Sequence, residues 1–173
     1  MDAPARDEFE RLFRDHHAAV HRYAAWRVAP DAVQDVVSET FLVAWRRFED
    51  LRGDPLPWLL GIARRTAANQ RRAGARRDAL AERLSAEPAS DQHGSGVDRG
   101  LLRALAALGE RDREALMLVA WDGLDKQAAA AVMGCSKAAF AVRLHRARRR
   151  LARGLALESA DCLEMATEAG VLR

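Results

Sequence analysis

Residues 134 to 151 read GCSKAAFAVRLHRARRRL, a glycine-led turn followed by a helix whose last third is nearly all arginine. At 100° per residue, Phe140, Leu144, Ala147 and Leu151 fall on one narrow stripe, the period of a helix with one buried face. Opposite the stripe stand Ala138, Val142, His145, Arg149 and Arg153, with Arg146 at its edge. Just upstream, residues 122 to 134 read DGLDKQAAAAVMG. Asp125 is placed to cap a short alanine-rich helix, Gly134 to leave it with a positive φ, and Ser136 to cap the next one. Short helix, tight turn and longer basic helix make a helix-turn-helix, whose second helix commonly enters the DNA major groove. The same residues also suit a helical hairpin with a solvated arginine face, so the rest of the chain has to decide.

Nearly all the remaining periodicity is helical, so the predicted fold class is all-α. Residues 7 to 28 place Phe9, Leu12, Phe13, Val20 and Tyr23 on one side, and Pro30 ends that helix. Residues 31 to 51 repeat the pattern with Val33, Val37, Phe41, Ala44 and Phe48. A third helix starts near Pro55 or Pro57 and carries Trp58, Leu59 and Ile62 inward. These form a compact bundle. The segment SAEPASDQHGSGV, residues 85 to 97, is rich in small and polar residues and reads as a flexible linker. Beyond it lie Leu101, Leu102, Leu105 and Leu108, then Leu116, Leu118 and Val119, then the helix-turn-helix. The reading is thus two small helical domains, 7–84 and 98–153, joined by the linker 85–97 and followed by an acidic tail, 154–173.

The charge distribution says more than its total. The chain has 173 residues, with 28 basic and 25 acidic side chains and a formal net charge of +3. Residues 55 to 77 hold six arginines and no acid, and residues 143 to 153 hold six more and no acid. Two basic patches far apart in sequence suggest one polyanion touched twice. No apolar run is long enough to span a bilayer, and the charged N-terminus is unlike a signal peptide, so a cytoplasmic location is expected with no membrane insertion. Cys135 and Cys162 have no metal-type spacing. His17 and His21, at i and i+4, have the spacing of half a zinc site, but no further ligand follows usefully, and no metal or cofactor is expected. No phosphate loop or nucleophile–base pairing stands out, so no catalytic residue is assigned and the chain is not expected to be an enzyme.

The order of DVVSETFLVAWRRFEDLRG, PWLLGIARRTAANQRRAGARR, a polar linker and ALGERDREALMLVAWDGLDKQAAAAVMGCSKAAFAVRLHRARRRL closely resembles an extracytoplasmic-function (ECF) sigma factor of the sigma-70 family. Such an RNA polymerase subunit carries only the sigma-two and sigma-four domains. The resemblance covers about residues 7 to 153. It implies that the acidic helix from Asp35 to Asp50 docks on the polymerase clamp, with Asp35, Glu39 and Phe41 matching the family pattern. Leu42 and Arg46 extend the path of Asp35 and Glu39 along one surface strip. It also implies that the region around Asn69 reads and opens the promoter −10 element. There Arg64, Arg65, Arg71, Arg72, Arg76 and Arg77 would track the strand, Asn69 would pair with a base, and a loop from Arg72 to Arg77 carrying Gly74 would capture one. The helix-turn-helix then resembles the −35 reader, with contacts from Lys137, Val142, Arg143, His145, Arg146 and Arg149.

The expected partners are therefore core RNA polymerase, promoter DNA and an anti-sigma protein. The alternative is a free-standing helix-turn-helix regulator, which has no need of the basic segment Arg64 to Arg77 in its N-terminal half. For the tail, one expectation is that Glu158, Asp161, Glu164 and Glu168 restrain the basic helix in cis. Another is that Leu157, Cys162, Leu163 and Met165 pack on the sigma-four core.

Overall fold

The computed structural model describes residues 3–81 and 99–168. The expected linker 85–97 lies outside them. The chain divides into two compact units, residues 1–89 with 131–134 and residues 90–130 with 135–173. Among the described residues both are built from helices and turns, without strands.

In the first unit, α1 (Ala3–Ala25), α2 (Val33–Arg46) and α3 (Pro55–Ala81) pack on one another. From α1, Phe9, Leu12, Val20, Tyr23 and Ala24 are buried. Phe13 is the correction: it is 42% exposed and sits at the rim of the core, edge-on to Phe41 at 4.6 Å. At the end of α1 the Arg27 guanidinium lies 3.5 Å over the Tyr23 ring and donates to the Tyr23 carbonyl at 2.9 Å. Pro30 then starts a 3-10 turn, Pro30–Ala32. Helix α2 is rich in valine, a weak helix former, yet Val33, Val36, Val37, Phe41 and Ala44 are all buried, so packing outweighs propensity. The buried Thr40 hydroxyl donates to the Val36 carbonyl at 2.6 Å, which meets the requirement that a buried polar group be paired. Phe48 falls beyond α2, in the 3-10 turn Phe48–Asp50, half-buried, and meets Phe9 edge-on at 5.5 Å.

Helix α3 opens with Pro55 at its first position, where a missing N–H costs nothing, and Asp54 Oδ1 accepts from the Leu56 N–H at 3.0 Å. Leu59, Leu60, Ile62, Ala63 and Ala67 are buried, whereas Trp58 is only half-buried. The helix then runs on through the arginines to Ala81. The loop expected from Arg72 to Arg77 is therefore helical. Alanine, arginine and glutamine are strong helix formers, and one interior glycine, Gly74, costs only about 1 kcal/mol against them.

The second unit holds α4 (Arg99–Ala106), α5 (Glu110–Ala120), α7 (Lys137–Glu168) and, up to Ala130, α6 (Lys126–Met133). Its caps agree with the sequence. Asp125 Oδ1 accepts from the Ala128 N–H at 2.7 Å, and Ser136 Oγ accepts from the Ala139 N–H at 3.2 Å. Gly134 has φ +65°. The Gly134 N–H bonds to the Ala131 carbonyl and the Cys135 N–H to the Ala130 carbonyl, the paired bonds of a Schellman turn. Phe140, Leu144 and Ala147 are buried, and α7 packs on α4 and α5 along that stripe.

The expected domain boundary at Arg153 falls inside α7, which is one helix to Glu168. Along it, residues beyond Arg153 draw away from Arg146 at about 1.5 Å per residue. The side chains of Glu158, Asp161, Glu164 and Glu168, expected to restrain the basic face, and those of Cys162, Leu163 and Met165, expected to pack, lie outside the described residues. Leu157, expected to pack on the core, is 67% exposed, and the close contact near the start of the tail is at Gly154. A Cβ placed on Gly154 would lie 3.3 Å from the Ala104 Cβ on α4, so the two helices meet closely where Gly154 has no side chain. Gly154→Val is expected to overpack this contact and destabilise the unit by about 1–3 kcal/mol. A thermal melt checks it, and an unchanged Tm would mean that α4 yields without cost.

Candidate partner and nucleic-acid interfaces

Three exposed surfaces follow from these helices. On α2, burial of Val36, Val37, Thr40, Phe41 and Ala44 turns Asp35, Glu39, Leu42 and Arg46 outward. Leu42 is 47% exposed, an apolar side chain between charges. A shallow groove between α2 and α3 runs beside it, lined by Asp35, Ser38, Glu39, Leu42, Thr66 and Gln70. Phe41 does not belong to this surface. It is 5% exposed and packs against Phe13 and His17, so its place in the pattern is explained by the core. The sequence reading missed Trp45, which is 38% exposed and edge-on to Phe9 at 4.9 Å. It falls at the margin of the helical stripe, where periodicity does not separate core from surface.

On α3, Arg65, Asn69, Arg71 and Arg72 are exposed and Arg64 is half-buried. Arg65, Asn69 and Arg72 stand at i, i+4 and i+7 and share one side of the helix, whereas Arg64 and Arg71 lie well round from it. The expected single cationic track is therefore divided between two sides. Arg72 Nη2 donates to Asn69 Oδ1 at 2.5 Å, which leaves the amide N–H groups of Asn69 directed outward as donors. Arg76 and Arg77 lie on the last turns of α3.

On α7, Lys137, Ala138, Val142, His145, Arg146 and Arg149 are exposed, Val142 at 52%. All but Lys137, which stands in the first turn beside the buried stripe, lie on the face opposite it. Arg143 differs from them: it is half-buried and donates to Asp112 Oδ1 at 3.3 Å. Arg150 Nη1 donates to the other carboxylate oxygen, Asp112 Oδ2. Asp112 was not singled out in the sequence, because its partners lie 31 and 38 residues away and nothing local marks the pairing.

Among the described residues no group of three metal-ligating side chains comes together. The His17 ring instead stacks on Phe41, with centroids 6.1 Å apart and planes 16° apart. No helix among these residues is long and apolar enough to cross a membrane.

Comparison with known proteins accounts for this arrangement. Residues 12–77 match the family Sigma-70 region 2, and residues 98–151 match Sigma-70, region 4. The chain is 34% identical over 151 residues to the RNA polymerase sigma factor CarQ of Myxococcus xanthus, covering 82% of this chain and 86% of CarQ. The chain belongs to the ECF sigma factors of the sigma-70 family. It is also 32% identical over 158 residues to the ECF RNA polymerase sigma factor BldN of Streptomyces coelicolor, covering 85% of this chain and 60% of BldN. Of one further curated relative, 33% identical, the chain spans only 32% of the length. Among solved structures, the sigma factor RpoE in complex with the anti-sigma factor NepR from Bartonella quintana aligns with a TM-score of 0.69 at 26% identity, over 86% of this chain and 96% of that one. As an ECF sigma factor the chain is a transcription initiation factor, and its helix-turn-helix, α6 and α7, belongs to the DNA-binding region 4.

Proposed function

We propose that this sigma factor works in the cytoplasm without catalytic chemistry of its own. It docks on core RNA polymerase through the α2 strip of Asp35, Glu39, Leu42 and Arg46, and reads promoter DNA with two helices. The observation that carries this reading is the pair of exposed basic faces, on α3 and on α7, each backed by a buried apolar stripe and each within a matched sigma-70 region. Asn69, with Arg65 and Arg72 on the same side of α3, takes the −10 strand. Lys137, Val142, His145, Arg146 and Arg149 take the −35 duplex, the cations on phosphate and Val142 on a thymine methyl. An anti-sigma protein covering these surfaces would hold the factor inactive, as NepR binds the structurally similar RpoE. The domain limits that serve this division are 7–84 and 98–153, with the opening turn of the tail belonging to the second.

Affinity purification of the chain from cells tests the reading: core polymerase should co-purify, whereas a free-standing regulator would bring down none. Asn69→Ala is expected to leave closed-complex affinity within about twofold and to reduce strand opening by about tenfold, since one lost base contact of 1–3 kcal/mol acts only after the strands part. Permanganate footprinting reads this, and normal melting would remove Asn69 from the −10 site.

A further inference from the structure

Asp112 lies in the first turn of α5 and is 7% exposed. Its two carboxylate oxygens are divided between two cations of α7, Oδ1 accepting from Arg143 and Oδ2 from Arg150. Arg143 and Arg150 are seven residues apart, two turns along the same flank of the helix. That flank lies between the buried stripe of Phe140, Leu144 and Ala147 and the exposed face of Arg146 and Arg149. A carboxylate removed from water needs partners to remain charged, so both guanidiniums are engaged within the unit. A cation that already neutralises a buried acid contributes little to displacing counterions from DNA phosphate.

We propose that Asp112 is a positioning residue for DNA reading. By holding Arg143 and Arg150 it fixes the rotation of α7 against α5, and it limits how many cations the arginine-rich helix offers to phosphate. Base contacts, rather than bulk charge, then set where the helix settles. The inference rests on α7 being the DNA-reading helix.

The test is the salt dependence of binding to a fluorescent random-sequence duplex, followed by anisotropy with the full-length chain. Asp112→Asn keeps the shape, releases both arginines, and is expected to steepen the slope of log affinity against log salt by up to about 1.8, two phosphate contacts at about 0.9 each. Affinity for the random duplex at low salt should rise several-fold. Arg150→Gln in the otherwise unaltered chain should leave the slope as it is, while Asp112→Asn with Arg150→Gln should lose about half of the increase. A folded Asp112→Asn chain with an unchanged slope would reduce Asp112 to a packing residue and overturn the proposal. So would a slope lowered by Arg150→Gln alone, since Arg150 would then already lie on phosphate. That second arm decides the matter if Asp112→Asn fails to fold. Replacing both Arg146 and Arg149 by glutamine should flatten the slope by about 1.8. If it does not, α7 is not the DNA face, and the proposal falls with that reading rather than with the Asp112 contacts.

Discussion

Phe140→Ala is expected to unfold the second unit. The Phe140 ring is fully buried, on the face of α7 that packs against α4 and α5. Removing a buried phenylalanine ring costs about 3–5 kcal/mol, part of it lost transfer energy and part the cavity that remains. A small helical domain has little more than that to lose. Helices α1, α2 and α3 bury a core of their own, so about half of the helical signal should survive. Circular dichroism melts are expected to show one transition retained and the other lost or moved far down, with −35 binding gone. Phe140→Leu keeps most of the volume and should restore both. A single cooperative transition for Phe140→Ala, shifted by only a few degrees, would mean that the units do not unfold separately.

The second large effect is expected on polymerase binding. Reversing Asp35 and Glu39 to lysine leaves the core of α2 untouched, because both side chains point to solvent and surface changes of this kind alter stability by only about 0.5 kcal/mol. If the strip meets a basic surface on the polymerase, two attractive contacts become repulsive. Like charges brought together at an interface cost several kcal/mol, which weakens association on the order of a hundredfold. Native gel shift with core enzyme measures it, beside a melt showing an unaltered Tm. Leu42→Ala should weaken the same association less, by roughly tenfold, through lost apolar contact. Association unchanged by the double reversal would take the α2 strip out of the polymerase interface.

Short-range signals in the sequence carried the helix-turn-helix. Asp125, Gly134 and Ser136 act on backbone groups three to five residues away, so their geometry is implied by local order alone. The stripe of Phe140, Leu144 and Ala147 is legible for the same reason, as helical period and burial coincide along one element. Legibility fails where an assignment depends on what lies opposite. Phe41 fits the polymerase-docking pattern and a core stripe equally well, and only the packing of Phe13 and His17 against it decides. Gly74 looks like a loop former, yet its cost in a helix is small beside the strong helix formers around it.

The sequence by itself determined that the chain is helical, that it has two units, and that each presents a basic face. Helical period, capping residues and charge clustering are properties of neighbours in the chain. Only the tertiary structure decided which arginines of α7 pair with an acid inside the unit. Arg143, Arg146, Arg149 and Arg150 are alike in sequence, but α5 brings a buried carboxylate to Arg143 and Arg150 and none to the exposed face. A desolvated acid must be neutralised by whatever cation packing places beside it, and which one that is depends on how two helices, distant in sequence, are rotated against each other.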